Sequence, residues 1–176
     1  HTKMTRITVE NEGNGSTDYF DLTGKIALVT GGAGWLGVPM SWVLARAGAT
    51  VVIVGRKQAP LSEVVGFARE QGLKMEAITC DIRDELHTQQ LVERILDVHP
   101  KLDILVNNAT TEILGEKGLG APHDAFATAA DMHIGAVWRL VNLTLPGLRA
   151  AAKICGDATI INIASMYGKV SPVHRI

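Results

Sequence analysis

A short β-branched run at residues 25–30 ends on two glycines and leads into a helical stretch at 36–47. No other feature limits this chain so sharply. A strand that enters a helix through a tight turn opens a βαβ unit, and such a unit needs a parallel neighbour. The pattern then repeats. Apolar runs at 50–54, 74–79, 103–107 and 158–163 read as strands, and 61–71, 84–98 and 125–152 read as helices. The strands show little polar alternation, as expected of strands buried on both faces. The expected fold class is α/β: a Rossmann-type, doubly wound parallel sheet in three layers, five strands in the order 3-2-1-4-5, with right-handed crossovers. Gly48 and Gly72 close the first two helices, Asp81 or Asp84 caps the third, and Pro146 is expected to kink the long alanine-rich one.

Residues 1–20 are polar and rich in Gly and Asn, and read as a flexible tail; residues 21–176 form the expected domain. Its length allows one substantial core. Seventeen basic against eighteen acidic residues leave a net charge of −1. That balance argues against a nucleic-acid partner and against a membrane surface. No apolar run approaches a membrane span, and no h-region marks a secretory signal. Cys80 and Cys155 have no metal-binding spacing and are expected to be buried thiols in a reducing, cytoplasmic setting. No metal site is expected.

The turn Thr30-Gly-Gly-Ala-Gly-Trp-Leu-Gly37 carries the chemistry. A pyrophosphate needs unpaired backbone N–H groups and the positive end of a helix dipole. Glycine lets the backbone turn sharply and lets phosphate oxygens approach. Gly37 also lets the helix pack closely on the sheet. The turn alone is common; its place between a strand and a helix makes it a dinucleotide candidate. Gly31, Ala33, Gly34, Trp35, Leu36 and Gly37 are the expected phosphate contacts.

Read with Asn107-Asn108-Ala109 after the fourth strand and Asn162-Ile-Ala-Ser165 after the fifth, this turn resembles the short-chain dehydrogenase/reductase superfamily. The likeness runs from about Asp21 to the C-terminus, and Asp21-Leu-Thr-Gly-Lys25 resembles the opening of classical members. One departure stands in the turn. Classical members carry TGxxxGxG, whereas this chain has Trp35 at the middle position and fits TGxxGxxG, the spacing of the extended subfamily that includes sugar-nucleotide epimerases. Asn107-Asn108-Ala109 is a classical signature. The resemblance implies an NAD(P)-dependent oxidoreductase, with Asp81 and Ile82 in the segment that holds the adenine and Asn108 and Ala109 also at the cofactor. The implied substrate is a small alcohol or carbonyl compound, and a homo-oligomer is expected. Val54-Gly55-Arg56-Lys57 ends the second strand with no acidic residue. A carboxylate there would repel a 2′-phosphate, and Arg56 would attract it, so NADP(H) is favoured over NAD(H).

The resemblance further implies a Ser that binds the substrate oxygen and a Tyr-x-x-x-Lys that exchanges the proton. Ser165 matches the serine. Tyr167 has no lysine four residues on, and eleven residues follow Ser165. The C-terminal part of the family fold is therefore expected to be missing, and the chain alone to be inactive. Many members place an Asn three residues before the glycine of the long helix; here Met132 precedes Gly135, with His133 beside it. Two other readings stay open: a binding module that turns nothing over, and an extended-type epimerase or dehydratase of sugar nucleotides.

Overall fold

The computed structural model describes residues 20–110 and 123–164. Five strands form one parallel sheet: β1 Ile26–Thr30, β2 Thr50–Gly55, β3 Met75–Thr79, β4 Ile104–Asn107 and β5 Thr159–Asn162. Their order is β3-β2-β1-β4-β5, as the βαβ pattern predicts. The helices are α1 Gly37–Arg46, α2 Gln58–Glu70, α3 Glu85–Val98, α4 His123–Ala130 and α5 Ala136–Cys155.

The side-chain period of two sorts β1, β2 and β4 between two cores. Ala27, Val29, Val51, Ile53, Ile104 and Val106 pack beneath α1 and α2, against Trp42, Ala45, Leu61 and Ala68. Leu28, Val52, Val54 and Leu105 face the other way, against Leu91, Val92 and Ile95 of α3 and Leu140 and Leu148 of α5. This double burial is why these strands are apolar throughout. β1 is central, pairing Thr30 with Val54 and Val29 with Val106. The connections reverse direction between β1 and β4. In open α/β sheets the crevice at such a switch point, beyond the strands' carboxyl ends, is where ligands bind.

At the opposite end, Asp103 ties the sheet together. Its carboxylate is 2% exposed, accepts from the Ile26 amide at 2.8 Å, and lies 2.6 Å from Lys101 Nζ. Lys25 Nζ stands 3.5 Å away. Burial raises the Asp103 pKa, but the Lys101 and Ile26 hydrogen bonds and the two ammonium charges outweigh it and hold it below the ordinary carboxylate value.

Several sequence expectations change. The expected 125–152 helix is interrupted by a π-helical turn, Asp131–Gly135, and α5 runs through Pro146 as one element. A Cβ on Gly135 would stand 2.8 Å from Asp131 Oδ1, so glycine suits the wide turn. α2 begins at Gln58, ahead of the expected residue 61, because Pro60 fits the first helical turn. Asp84 caps α3, accepting from the His87 amide at 2.9 Å, and Asp81 is engaged elsewhere. Cys80 is buried, but Cys155 is exposed: it ends α5 beyond Ala151, the helix's last buried residue. The expected tail through residue 19, Ser165 and Tyr167 lie outside the described residues.

The two sheet edges differ. β3 shows Glu76 and Thr79 to solvent, whereas β5 exposes Ile160 and Ile161, with Ile163 just beyond it.

Candidate dinucleotide site

Thr30 ends β1 with its side chain 1% exposed. Its hydroxyl accepts from the Asn108 and Ala109 amides, each at 3.0 Å, and donates to the Val106 carbonyl at 3.3 Å. The Asn108 side-chain amide returns the link, donating to the Thr30 carbonyl at 3.0 Å and the Gly31 carbonyl at 3.3 Å. Thus the glycine turn and the loop after β4 hold each other across the switch point. Gly31 is where they touch: its φ is +64°, and a Cβ there would lie 3.0 Å from Ala109 Cα. Only glycine meets both demands.

The turn then delivers α1. Among the described residues the amides of Ala33, Trp35, Leu36 and Gly37 make no hydrogen bond, no side chain caps the helix, and its first turn has no acidic residue. Four donors and a helix dipole are therefore left unneutralised among the described residues. A Cβ on Gly37 would overlap the Gly31 carbonyl, so this glycine sets the closeness of helix and turn.

A cleft of about 290 Å³ opens beside the turn, and of these four residues Ala33 lines it. Gly31, Ala33 and Gly34 of the turn line it with Arg56 and Lys57 from the end of β2, Ile82 from the segment after β3, Ala109 and Thr110 from the loop after β4, and Met132. Of the residues expected at a cofactor, Gly31, Ala33, Gly34, Arg56, Ile82 and Ala109 line it together. Asn108 stands behind the wall as its brace. Leu36 and Trp35 project to solvent, Trp35 at 95% exposed. Asp81 lines an adjoining cleft of about 500 Å³, which also contains Arg56 and Cys80.

Asp81 is gripped by its own neighbour. Its Oδ1 accepts from the Arg83 amide at 3.1 Å and from Arg83 Nε at 3.0 Å, and its Oδ2 from Nη2 at 2.6 Å. The Arg83 hydrogen bond holds its pKa below the ordinary value, against the opposing effect of burial. Burial pushes the Cys80 thiol up to about 11, so at neutral pH it is a protonated, unreactive lining group.

Sequence reasoning missed three parts of this arrangement. The Thr30 hydroxyl is the hub of the two loops. Arg139 of α5 donates to the Ile82 and Arg83 carbonyls at 3.2 and 3.0 Å and fixes the segment after β3. The π-helical turn carries buried Met132 into the cleft wall and leaves His133 Nε2 3.0 Å from Thr110 Oγ1. The Asn107-Asn108-Ala109 signal pointed to the first; long-range partners such as Arg139 leave no local pattern. Among the described residues no group of His, Cys, Asp and Glu would hold a metal ion.

The model of the short chain dehydrogenase family matches residues 25–176. The chain belongs to that family. It is 35% identical over 151 residues to ketoacyl reductase HetN of Nostoc sp., covering 84% of this chain and 50% of that protein. It is 32% identical over 150 residues to the rhamnolipids biosynthesis 3-oxoacyl-[acyl-carrier-protein] reductase of Pseudomonas aeruginosa, covering 85% of this chain and 58% of the relative. The chain thus spans about half the length of these curated relatives. Among solved structures, the Pseudomonas aeruginosa RhlG/NADP active-site complex superimposes with a TM-score of 0.82 at 30% identity, over 90% of this chain and 61% of that one. The actinorhodin polyketide ketoreductase with NADPH gives 0.76 at 27% identity, over 85% and 56%.

Proposed function

We propose that this chain binds a nicotinamide dinucleotide, NADP(H) in preference to NAD(H). The whole protein is then an oxidoreductase of alcohol or carbonyl substrates. When bound, the dinucleotide supplies or accepts the hydride. The observation that carries the reading is the uncapped α1 N-terminus beside a cleft that Ala33, which has a free amide, lines together with Gly31 and Gly34 of the same turn, Ala109 and Arg56.

In this reading the free amides of Ala33, Trp35, Leu36 and Gly37 hold the pyrophosphate, with the positive end of α1 behind them. Trp35 and Leu36 act through their backbone, their side chains in water. Arg56 attracts the 2′-phosphate, and Gly55 leaves no carboxylate to repel it. Ile82 and Ala109 give apolar contact at the adenosine end, and Asp81 borders it. Asn108 acts as a positioning residue, through Thr30 and Gly31. Ser165, outside the described residues, follows β5, whose Asn162 accepts from Asn107 Nδ2 at 2.8 Å; it is the group we assign to the substrate oxygen. Met132, in the place many family members give to an asparagine, offers no proton relay. With Tyr167 lacking its lysine, the 176-residue chain alone should not turn over.

The reductase names of the relatives favour this reading over a sugar-nucleotide epimerase. Titration of the chain with NADPH and NADH tests it. NADPH should bind more tightly, and Arg56→Asp should reverse the order. Equal affinities unchanged by the substitution would remove Arg56 from the site; binding of neither would remove the dinucleotide.

A further inference from the structure

The adjoining cleft has an outer wall made of one stripe of α3. His87, Gln90, Leu91 and Arg94 stand at i, i+3, i+4 and i+7 and share one helix face. Leu91 is buried against the core, whereas His87, Gln90 and Arg94 are exposed. Arg56 approaches from the end of β2 and lines both clefts.

The charges in this cleft do not balance. Asp81 is its one carboxylate, and Arg83 already engages both of its oxygens. His87 Nδ1 stands 3.5 Å from Asp84 Oδ2. Arg56 and Arg94 have neither a hydrogen bond nor an ion pair among the described residues. Two arginines from separate elements therefore line one space, and among the described residues its single carboxylate, Asp81, is hydrogen-bonded by Arg83 and acts on Arg56 only through its charge. Such planar forks match the oxygens of a phosphate bidentately, and two of them suit a dianion.

We propose that Arg94 completes a phosphate clamp with Arg56, and that the clamp takes a phosphate monoester, supplied on the dinucleotide by its 2′-phosphate. The inference rests on the dinucleotide reading above. Arg56 lines both clefts, so a group that binds it from the first is brought next to the second. A ribose hydroxyl offers Arg94 neither a charge nor the paired oxygens that a guanidinium fork matches. Arg94 is then a specificity-determining residue that acts on the phosphorylated cofactor alone.

Calorimetric titration of the whole chain tests this with four ligands: 2′,5′-ADP, 5′-ADP, NADPH and NADH. Arg94→Gln should weaken 2′,5′-ADP and NADPH by about 10-fold or more, the loss expected for a hydrogen bond to a charged group. It should leave 5′-ADP and NADH unchanged, and Arg94→Lys should fall between. Inorganic phosphate should compete with 2′,5′-ADP and not with 5′-ADP. Equal weakening of all four ligands would overturn the clamp, since a general field or a structural effect would then explain it. So would an Arg94→Gln variant with unaltered NADPH affinity beside an Arg56→Gln variant that has lost it, and the dinucleotide reading would survive that result. Phosphate that binds without competing would assign the cleft to a free phosphate and overturn the assignment to the ribose. Thermal unfolding of Arg94→Gln should match that of the unaltered chain, because the side chain is exposed and glutamine suits a helix.

Discussion

Replacing Thr30 by valine removes one oxygen and preserves the shape of the side chain. That oxygen makes three hydrogen bonds: two accepted from the Asn108 and Ala109 amides and one donated to the Val106 carbonyl. A net contribution of about 1 kcal/mol each would give about 3 kcal/mol. Asn108 and Ala109 are half-buried, so water can reach part of what valine leaves unpaired, which lowers the expectation to about 2–3 kcal/mol. For a domain of this size the melting temperature should fall by roughly 4–12 °C. Because the lost bonds join the glycine turn to the Ala109 loop, dinucleotide affinity should fall as well. Urea unfolding and NADPH titration of Thr30→Val and Thr30→Ser are the assay. Serine keeps the hydroxyl and should keep most of both properties. Thr30→Val at unaltered stability, or serine as damaging as valine, would refute the claim that the hydroxyl joins the two loops.

Gly37→Ala should cost about 1–3 kcal/mol and weaken NADPH binding, because its Cβ overlaps the Gly31 carbonyl; a variant that binds normally would show that α1 has room to move. Asp103→Asn should destabilise the chain by about 3 kcal/mol at neutral pH, the low end for breaking a buried pair, since Lys25 and Lys101 can regain water. The folded Asp103 pKa is depressed, so its stabilisation is present above the unfolded value of about 3.9 and is lost as pH falls through the lower folded value. The stability difference between the two proteins should therefore shrink in that acid window, and a constant difference in urea unfolding from neutral pH to below it would contradict the charge argument. The exposed isoleucines of β5 should make the chain self-associate at micromolar concentration, and Ile161→Lys should reduce this in light scattering; a clean monomer without the substitution would show the edge to be covered.

Much of the fold was legible because burial on both faces writes itself into sequence. The apolar runs of β1, β2 and β4 admit little but interior parallel strands, and the alternation with helices fixed their order. The glycine turn was legible for a similar reason: Gly31 and Gly37 answer local steric demands. Partners far apart in the chain were not. Asp103 reads as the polar first residue of a strand, yet it joins β1 to β4 through Ile26, 77 positions away. Arg139 lies in the middle of a helix with no local motif around it, yet it holds the segment after β3. The π-helical turn was hidden because 125–152 is mostly alanine and other helix formers, and the one strong helix breaker in it, Pro146, lies eleven residues beyond Gly135. Cys155 was misplaced because an apolar residue type was taken to be buried, without regard to its position at the helix end.

The central claim is that the free amides at the start of α1 hold a pyrophosphate. Amide-resolved NMR of the labelled chain during NADPH addition tests it most directly. The resonances of Ala33, Trp35, Leu36 and Gly37 should move together at one saturating concentration, with Arg56 moving in step. NADPH binding that leaves these amides unmoved, or that shifts only residues remote from the 290 Å³ cleft, would contradict it.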